Sequence, residues 1–180
     1  MNDAELIKLF REGDHPRKAF DAIVCTYGER LYWHIRKMVV SHDDANDILQ
    51  NCFLKAWNGL PHFREEAKLY TWLYRIATNE VITFLKKLRS HLFQPLSQVS
   101  RQLSETLHAD PLFNGDDVQL KLQKAILRLP NRQRQVFNMR YFDELKYEEI
   151  SEILQISVGA LKASYHHAAA KIEEYMKQQI

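Results

Sequence analysis

The sequence predicts an all-α protein, and three observations carry that expectation. Glycine and proline are scarce, five of each in 180 residues, whereas a sandwich or barrel needs a turn signal about every 10 residues. Apolar residues recur at helical spacing over long stretches. A hydrophobic content of 46% with 11% aromatic residues suits a packed core and argues against a disordered chain. The helices are expected as two small domains, residues 1–89 and 118–180, joined by a flexible linker over 90–117.

In the first block Phe20, Ile23, Val24, Tyr27, Leu31 and Ile35 keep helical spacing. The second helix is the clearest: Ala45, Ile48, Leu49, Cys52, Phe53, Ala56 and Trp57 fall at i, i+3, i+4, i+7, i+8, i+11 and i+12. Ser41 with Asp44 fits a capping box with Asp in place of Glu, and Asp43 and Asp44 suit the positive end of the helix dipole. Gly59 and Pro61 end this helix. A loop from His62 to Lys68 leads to a third long helix with a buried stripe of Trp72, Leu73, Ile76, Ala77, Phe84, Leu85 and Leu88. Its outward face is expected to show Thr71, Tyr74, Arg75, Thr78, Asn79 and Ile82, and it ends in Lys86, Lys87 and Arg89.

Periodicity is lost from Ser90 to Asp117, where Pro95, Ser97, Ser100, Ser104, Asp110, Pro111, Asn114 and Gly115 read as a linker or surface loop. It is too long for a tight connection within one compact domain. Beyond it, helices are expected over Val118–Leu129, Arg132–Phe142, Tyr147–Leu154 and Val158 to about Lys177, with Pro130 and Asn131 breaking the first pair.

Several function classes are unsupported. No apolar run of about 20 residues is present, so no membrane insertion is expected, and the amphipathic N-terminus has no apolar signal core. Two cysteines, Cys25 and Cys52, without a CxxC spacing, read as reduced, buried thiols of a cytoplasmic protein; a disulfide between them is the lesser alternative. No phosphate-loop, dinucleotide, nucleophile-elbow or HExxH pattern occurs. An enzyme is therefore not expected, nor any cofactor. No metal site is expected either, because His42 with Asp44 and Asp47 does not close a ligand set. His166 and His167 point about 100° apart on a helix. The acidic pairs Glu148-Glu149 and Glu173-Glu174 read as polar helix faces.

Two features point to DNA. The first is a helix-turn-helix pattern. Ile150, Ile153 and Leu154 precede a turn of Gln155, Ile156 and Ser157, and Ser157 is a good N-cap. The next helix buries Val158, Leu161, Tyr165, Ala168 and Ile172. It leaves Ala160, Lys162, Ala163, Ser164, His166, His167 and Lys171 to approach base edges in a major groove. The second is the polar, basic and aromatic face of the third helix, which suits single-stranded DNA, where bases stack and phosphates need cations. An ordinary helical hairpin and a solvated helix face fit the same patterns.

Three longer motifs narrow this. They are D-A-x-D-x-x-Q-x-x-F-x-x-A-W (Asp44 to Trp57), W-L-x-R-I-A-x-N (Trp72 to Asn79) and Y-E-E-I-x-x-I-L (Tyr147 to Leu154). In this order and spacing the chain resembles bacterial RNA polymerase sigma factors of the extracytoplasmic-function (ECF) group, with a region two bundle and a region four helix-turn-helix. The resemblance implies DNA-templated transcription initiation at specific promoters, with RNA polymerase core (β and β′ subunits), promoter DNA and an anti-sigma factor as partners. Asp44, Asp47, Gln50 and Asn51 would dock on the coiled-coil clamp of the largest subunit. Phe63, Arg64, Lys68, Trp72, Arg75, Asn79 and Lys86 would bind the non-template strand of the −10 element, with one base flipped into a pocket near the loop. Ser157, Gly159, Ala160, Lys162, Ala163, His166, His167 and Lys171 would read the −35 element as duplex. The linker would thread toward the RNA exit path.

The chain also departs from that family. An arginine-rich run often follows the Ser-Val-Gly of the last helix, but here the residues from Lys162 to Lys171 contain no arginine. Affinity for the −35 element should therefore be lower or differently distributed. Lys146 stands where an N-capping Ser or Thr often precedes Tyr-Glu-Glu, and Thr83 and Lys86 stand near places often held by Asp and Arg. A DNA-binding regulator acting without polymerase, and a degenerate factor that only titrates a partner, are the competing readings.

The net charge of +2 hides a pattern. Residues 1–97 carry 14 basic and 12 acidic side chains, residues 98–120 carry 1 and 4, and residues 121–180 carry 10 and 7. Near-neutrality thus does not exclude DNA. With the arginines missing, Lys162→Ala is expected to weaken −35 binding and lower its salt slope by about 1, as for one lost phosphate contact; an unchanged footprint would remove Lys162 from the interface.

Overall fold

Asn2 starts the first helix by accepting from the Glu5 N–H (2.8 Å) while the Glu5 carboxylate accepts from the Asn2 N–H (2.9 Å). From there the chain is a succession of helices, seen in a computed structural model that describes residues 2–92, 101, 103–107 and 117–178. They are α1 (Asp3–Glu12), α2 (Pro16–Val39), α3 (His42–Gly59), a 3₁₀ turn (Leu60–His62), α4 (Leu69–Leu92), α5 (Asp117–Leu127), α6 (Asn131–Tyr141), α7 (Tyr147–Leu154) and α8 (Val158–Gln178). No strand occurs among the described residues. The expected α-only class is therefore as observed, and the expected helices follow in order after an additional one, α1.

The helix ends obey local chemistry. Ser41 Oγ accepts from the Asp44 N–H (3.3 Å), which supplies the Ser41 half of the expected capping box. Pro16 opens α2, where a missing N–H costs nothing. Gly59 and Pro61 do not stop the chain dead; it tightens into the 3₁₀ turn first. At α7 the cap comes from Glu149, whose carboxylate accepts from the Lys146 N–H (2.9 Å). Val40 leaves α2 at φ 69°, an unusual conformation for a β-branched residue.

The first four helices pack around Leu31, Ile35, Met38, Ala45, Cys52, Leu60, Leu73, Ala77 and Val81, all buried. An aromatic group seats α1: Trp57 meets Phe10 at 4.9 Å and Phe20 at 5.1 Å, both edge to face. A second core holds Ala125, Ile126, Leu129, Phe137, Ala168 and Ile172, with the Phe137 and Tyr165 rings stacked at 5.5 Å. The two halves are not independent, because Val136, Met139, Leu145, Ile150, Ile153 and Leu161 join the first core. Of the segment read as a linker or loop, residues 103–107 are helical. Leu103 and Leu107 are buried there with Val40 and Leu127. Pro95, Ser97, Ser100, Asp110, Pro111, Asn114 and Gly115 lie outside the described residues.

Cys25 corrects one expectation, since it is exposed rather than buried. It falls on the solvent side of α2, while Cys52 faces the core. Both thiols are free, and burial pushes Cys52 up to about 12, so it is inert as a nucleophile.

The halves meet at a buried ionic contact. Asp143, just after α6, hydrogen-bonds His34 Nδ1 (3.0 Å) and Lys37 Nζ (2.5 Å) from α2. The Asp143 side chain is only 5% exposed and that of His34 is 1% exposed. His34 Nε2 in turn meets Thr78 Oγ1 on α4 at 3.1 Å. Burial alone would raise the Asp143 carboxyl, but the His34 hydrogen bond and the charges of His34 and Lys37 together hold it below the usual carboxylate range. A carboxyl lowered on folding adds stability that is complete above the unfolded value of about 4 and is lost as pH falls through the folded value. Urea unfolding should therefore show wild type ahead of Asp143→Asn by about 1–3 kcal/mol at pH 6, with the gap closing below about pH 4. A gap that does not change with pH would contradict this.

Candidate functional site

The α3 surface is built by a strict division of its helix faces. Ala45, Ile48, Cys52 and Ala56 are buried. Asp47, Gln50 and Asn51 are exposed, and Asp44 is half-buried at the helix start. Leu54 continues this stripe and is 57% exposed. Beside it Phe20, Gln50, Phe53, Leu54 and Trp57 line a shallow apolar cavity of about 230 Å³. Leu54 was missed in the sequence, although it lies outside the apolar repeat of the same helix, which is the signal that marks it. His42 is engaged by Tyr32 (2.7 Å) and Asn46 (2.9 Å), and no metal-binding cluster occurs among the described residues.

The −10 candidates divide into groups. Phe63 is buried, and its ring lies 4.8 Å from that of Trp72 with the planes 34° apart. Arg64 and Lys68 are exposed on the loop between them. Arg75 lies a turn beyond Trp72, and its Nη2 donates to the Glu152 carbonyl of α7 at 2.7 Å. Asn79 is exposed. Lys86 is exposed about 21 Å further along the helix than Trp72, at 1.5 Å per residue. The loop therefore gathers Phe63, Arg64, Lys68 and Trp72, while Lys86 stands apart.

The expected outward face of α4 needs correction. Thr71, Tyr74 and Thr78 are 1%, 1% and 2% exposed. The His34 ring lies 4.8 Å from that of Tyr74 and bonds Thr78, and α7 packs on α4. Periodicity shows which face is apolar; it does not show that His34 of α2 and helix α7 meet the polar one. Burial pushes the Tyr70 hydroxyl up to about 12 and raises Tyr74 further, so both rings act as neutral packing groups.

The helix-turn-helix comprises α7 and α8. Gln155 turns the chain at φ 56° and ψ 47°, and its N–H donates to the Ser151 carbonyl (2.9 Å). Ser157 Oγ accepts from the Ala160 N–H (3.3 Å), which caps α8. Leu161, Ala168 and Ile172 are buried; Val158 and Tyr165 are half-buried. Ser157, Gly159, Ala160, Lys162, Ala163, His166, His167 and Lys171 are all exposed and lie on one helix with its cap. Lys162 Nζ sits 5.8 Å from the Tyr147 ring, and Lys171 Nζ donates to Gln133 at 3.1 Å. The His166 and His167 ring centroids are 6.0 Å apart and tilted.

The sequence that builds this bundle and this helix-turn-helix matches two regions of one known family. Sigma-70 region 2 matches residues 23–91, and Sigma-70, region 4 matches residues 119–172. The chain is thus a sigma factor, a subunit that directs RNA polymerase to promoters for transcription initiation. Over 179 residues it is 30% identical to the ECF RNA polymerase sigma factor SigW of Bacillus subtilis, covering 95% of both chains. It belongs to the ECF group of these factors.

Two solved structures share the fold. One is CnrH in complex with the cytosolic domain of CnrY, with a TM-score of 0.70, 20% identity and 99% of each chain covered. The other is the sigma factor RpoE in complex with the anti-sigma factor NepR from Bartonella quintana, with a TM-score of 0.69 and 20% identity. That match covers 89% of this chain and 98% of the other. No helix among the described residues is long and apolar enough to cross a membrane.

The aromatic pair beside the loop depends on a small residue. A Cβ at Gly59 would lie 2.9 Å from Trp72 Cζ2. Gly59→Ala should therefore push the Trp72 ring off Phe63 and cost about 1–3 kcal/mol by overpacking. The Trp72 indole resonance and the urea midpoint report it, and unchanged values for both would show that the ring has room.

Proposed function

We propose that the chain works as two units, residues 1–89 and 118–180, with 90–117 between them, and that its three exposed surfaces divide the labour of promoter recognition. Asp44, Asp47, Gln50 and Asn51 on α3, extended by Leu54 and its apolar cavity, dock on RNA polymerase core. Phe63, Arg64, Lys68, Trp72, Arg75, Asn79 and Lys86 take the single-stranded −10 element, with aromatic rings to stack bases and cations for phosphates. The exposed face of α8, from Ser157 to Lys171, reads the −35 duplex in the major groove. The observation that carries this is the capped α8, whose small residues, Lys162 and paired histidines are all left to solvent on a helix otherwise anchored by Leu161, Ala168 and Ile172.

The factor acts in the cytoplasm by binding, with no covalent step of its own. An anti-sigma factor is its expected regulator, as for the RpoE relative solved with NepR. With four acidic side chains and one basic in residues 98–120, and no arginine between Lys162 and Lys171, the free protein should hold duplex promoter DNA weakly at physiological salt. Polymerase then supplies much of the affinity. Run-off transcription with core polymerase on a library of promoter fragments should yield initiation at a defined subset. No initiation together with no core binding would overturn the reading, and tight duplex binding without core would favour a stand-alone regulator.

A further inference from the structure

Helix α1 takes no part in the surfaces described so far, yet one of its side chains shapes the −10 loop. Arg11 reaches across to three groups 49 to 54 residues away. Its Nε–H donates to the Leu60 carbonyl (3.4 Å), its Nη1 to Glu65 Oε1 (2.7 Å) and its Nη2 to the Phe63 carbonyl. The turn into this loop is closed by the Leu60 N–H to the Ala56 carbonyl and the Phe63 N–H to the Leu60 carbonyl, the latter at 3.2 Å. Glu65 sits at φ 59°, a conformation that residues with a side chain rarely adopt. The entry to the loop between the 3₁₀ turn and α4 is therefore held from outside by a guanidinium as well as by the backbone.

We propose that Arg11 is a positioning residue for −10 recognition. It fixes the path of residues 63–68, and hence where Arg64, Lys68 and the Phe63–Trp72 pair meet the DNA strand. This rests on the reading of that loop as the −10 surface. The chemistry requires arginine. A planar fork presents N–H groups in several fixed directions and bridges two carbonyls and a carboxylate, whereas a lysine ammonium is a point charge on a flexible stem. Anchoring Phe63 through its carbonyl also keeps its ring seated on Trp72. The guanidinium is 29% exposed and its Glu65 partner 46%, so the ion pair contributes little to global stability. Its loss loosens the loop rather than unfolding the bundle.

The test uses holoenzyme assembled from core polymerase and the full chain, either wild type, Arg11→Lys or Arg11→Ala. One probe is a single-stranded oligonucleotide carrying the non-template −10 sequence of a promoter that the wild-type holoenzyme transcribes. The other is a −35 duplex from the same promoter. Both variants should bind the single strand about tenfold more weakly, with core affinity, −35 affinity and thermal midpoint unchanged. Amides of residues 63–68 should exchange faster in the free variants. The proposal is overturned if Arg11→Lys binds the single strand like wild type, even with faster loop exchange. It is equally overturned if both probes lose affinity in parallel with the thermal midpoint, because Arg11 then serves the fold alone. Should wild-type holoenzyme transcribe yet ignore the single strand, the loop's assignment fails before that of Arg11.

Discussion

The Asp143 carboxylate is buried between His34 and Lys37, and a buried charge can stay buried only while its partners remain in place. Those partners belong to α2, whereas Asp143 follows α6, so the contact ties the end of the chain to its beginning. Everything around it conforms. Thr78 turns its hydroxyl to the far nitrogen of His34, and Tyr74 packs on the same imidazole. Asn138 bonds Met38 Sδ, and Arg75 caps the carbonyl of Glu152. The apolar residues of α6 and α7 complete the core of the first four helices rather than only their own. Four polar contacts and a shared core hold the two halves together.

Most of the architecture was legible in the sequence because helix faces are written in period. The apolar repeat from Ala45 to Trp57 marked α3, and Ser41 and Ser157 marked two starts by a hydroxyl in the right place. The polar contents of α3 and α8 likewise pointed outward because nothing covers them. The failures share one cause. Thr71, Tyr74 and Thr78 are polar or amphipathic and read as solvent-facing, yet they are buried by groups distant in sequence. Arg11 was invisible for the same reason, since its value depends on carbonyls and a carboxylate some 50 residues away. Cys25 erred the other way: a residue type usually buried happens to sit on the outer face of its helix. Local pattern identifies a face, and only the fold decides what meets it.

Electrostatics here is a matter of distribution. A total of +2 conceals an acid-rich segment at 98–120 between two mildly basic blocks. Within the first block, acids line the exposed side of α3 while Arg64 and Lys68 stand on the loop before α4. A protein partner and a nucleic acid can therefore address opposite signs of charge on one small bundle. On α8 the cations are few and the residues small, which favours close approach over strong non-specific attraction.

The buried junction has a thermodynamic consequence for any ligand that needs the covered side of α4. Such a ligand would find its site only in whatever fraction of the molecules had the halves apart. Its apparent dissociation constant is the intrinsic one divided by that fraction. A partner that grips the separated halves removes the handicap without touching the ligand, and by reciprocity the ligand strengthens the grip of the partner. Were the halves to part, the buried contacts of Asp143 would count toward any coupling between two such binding events.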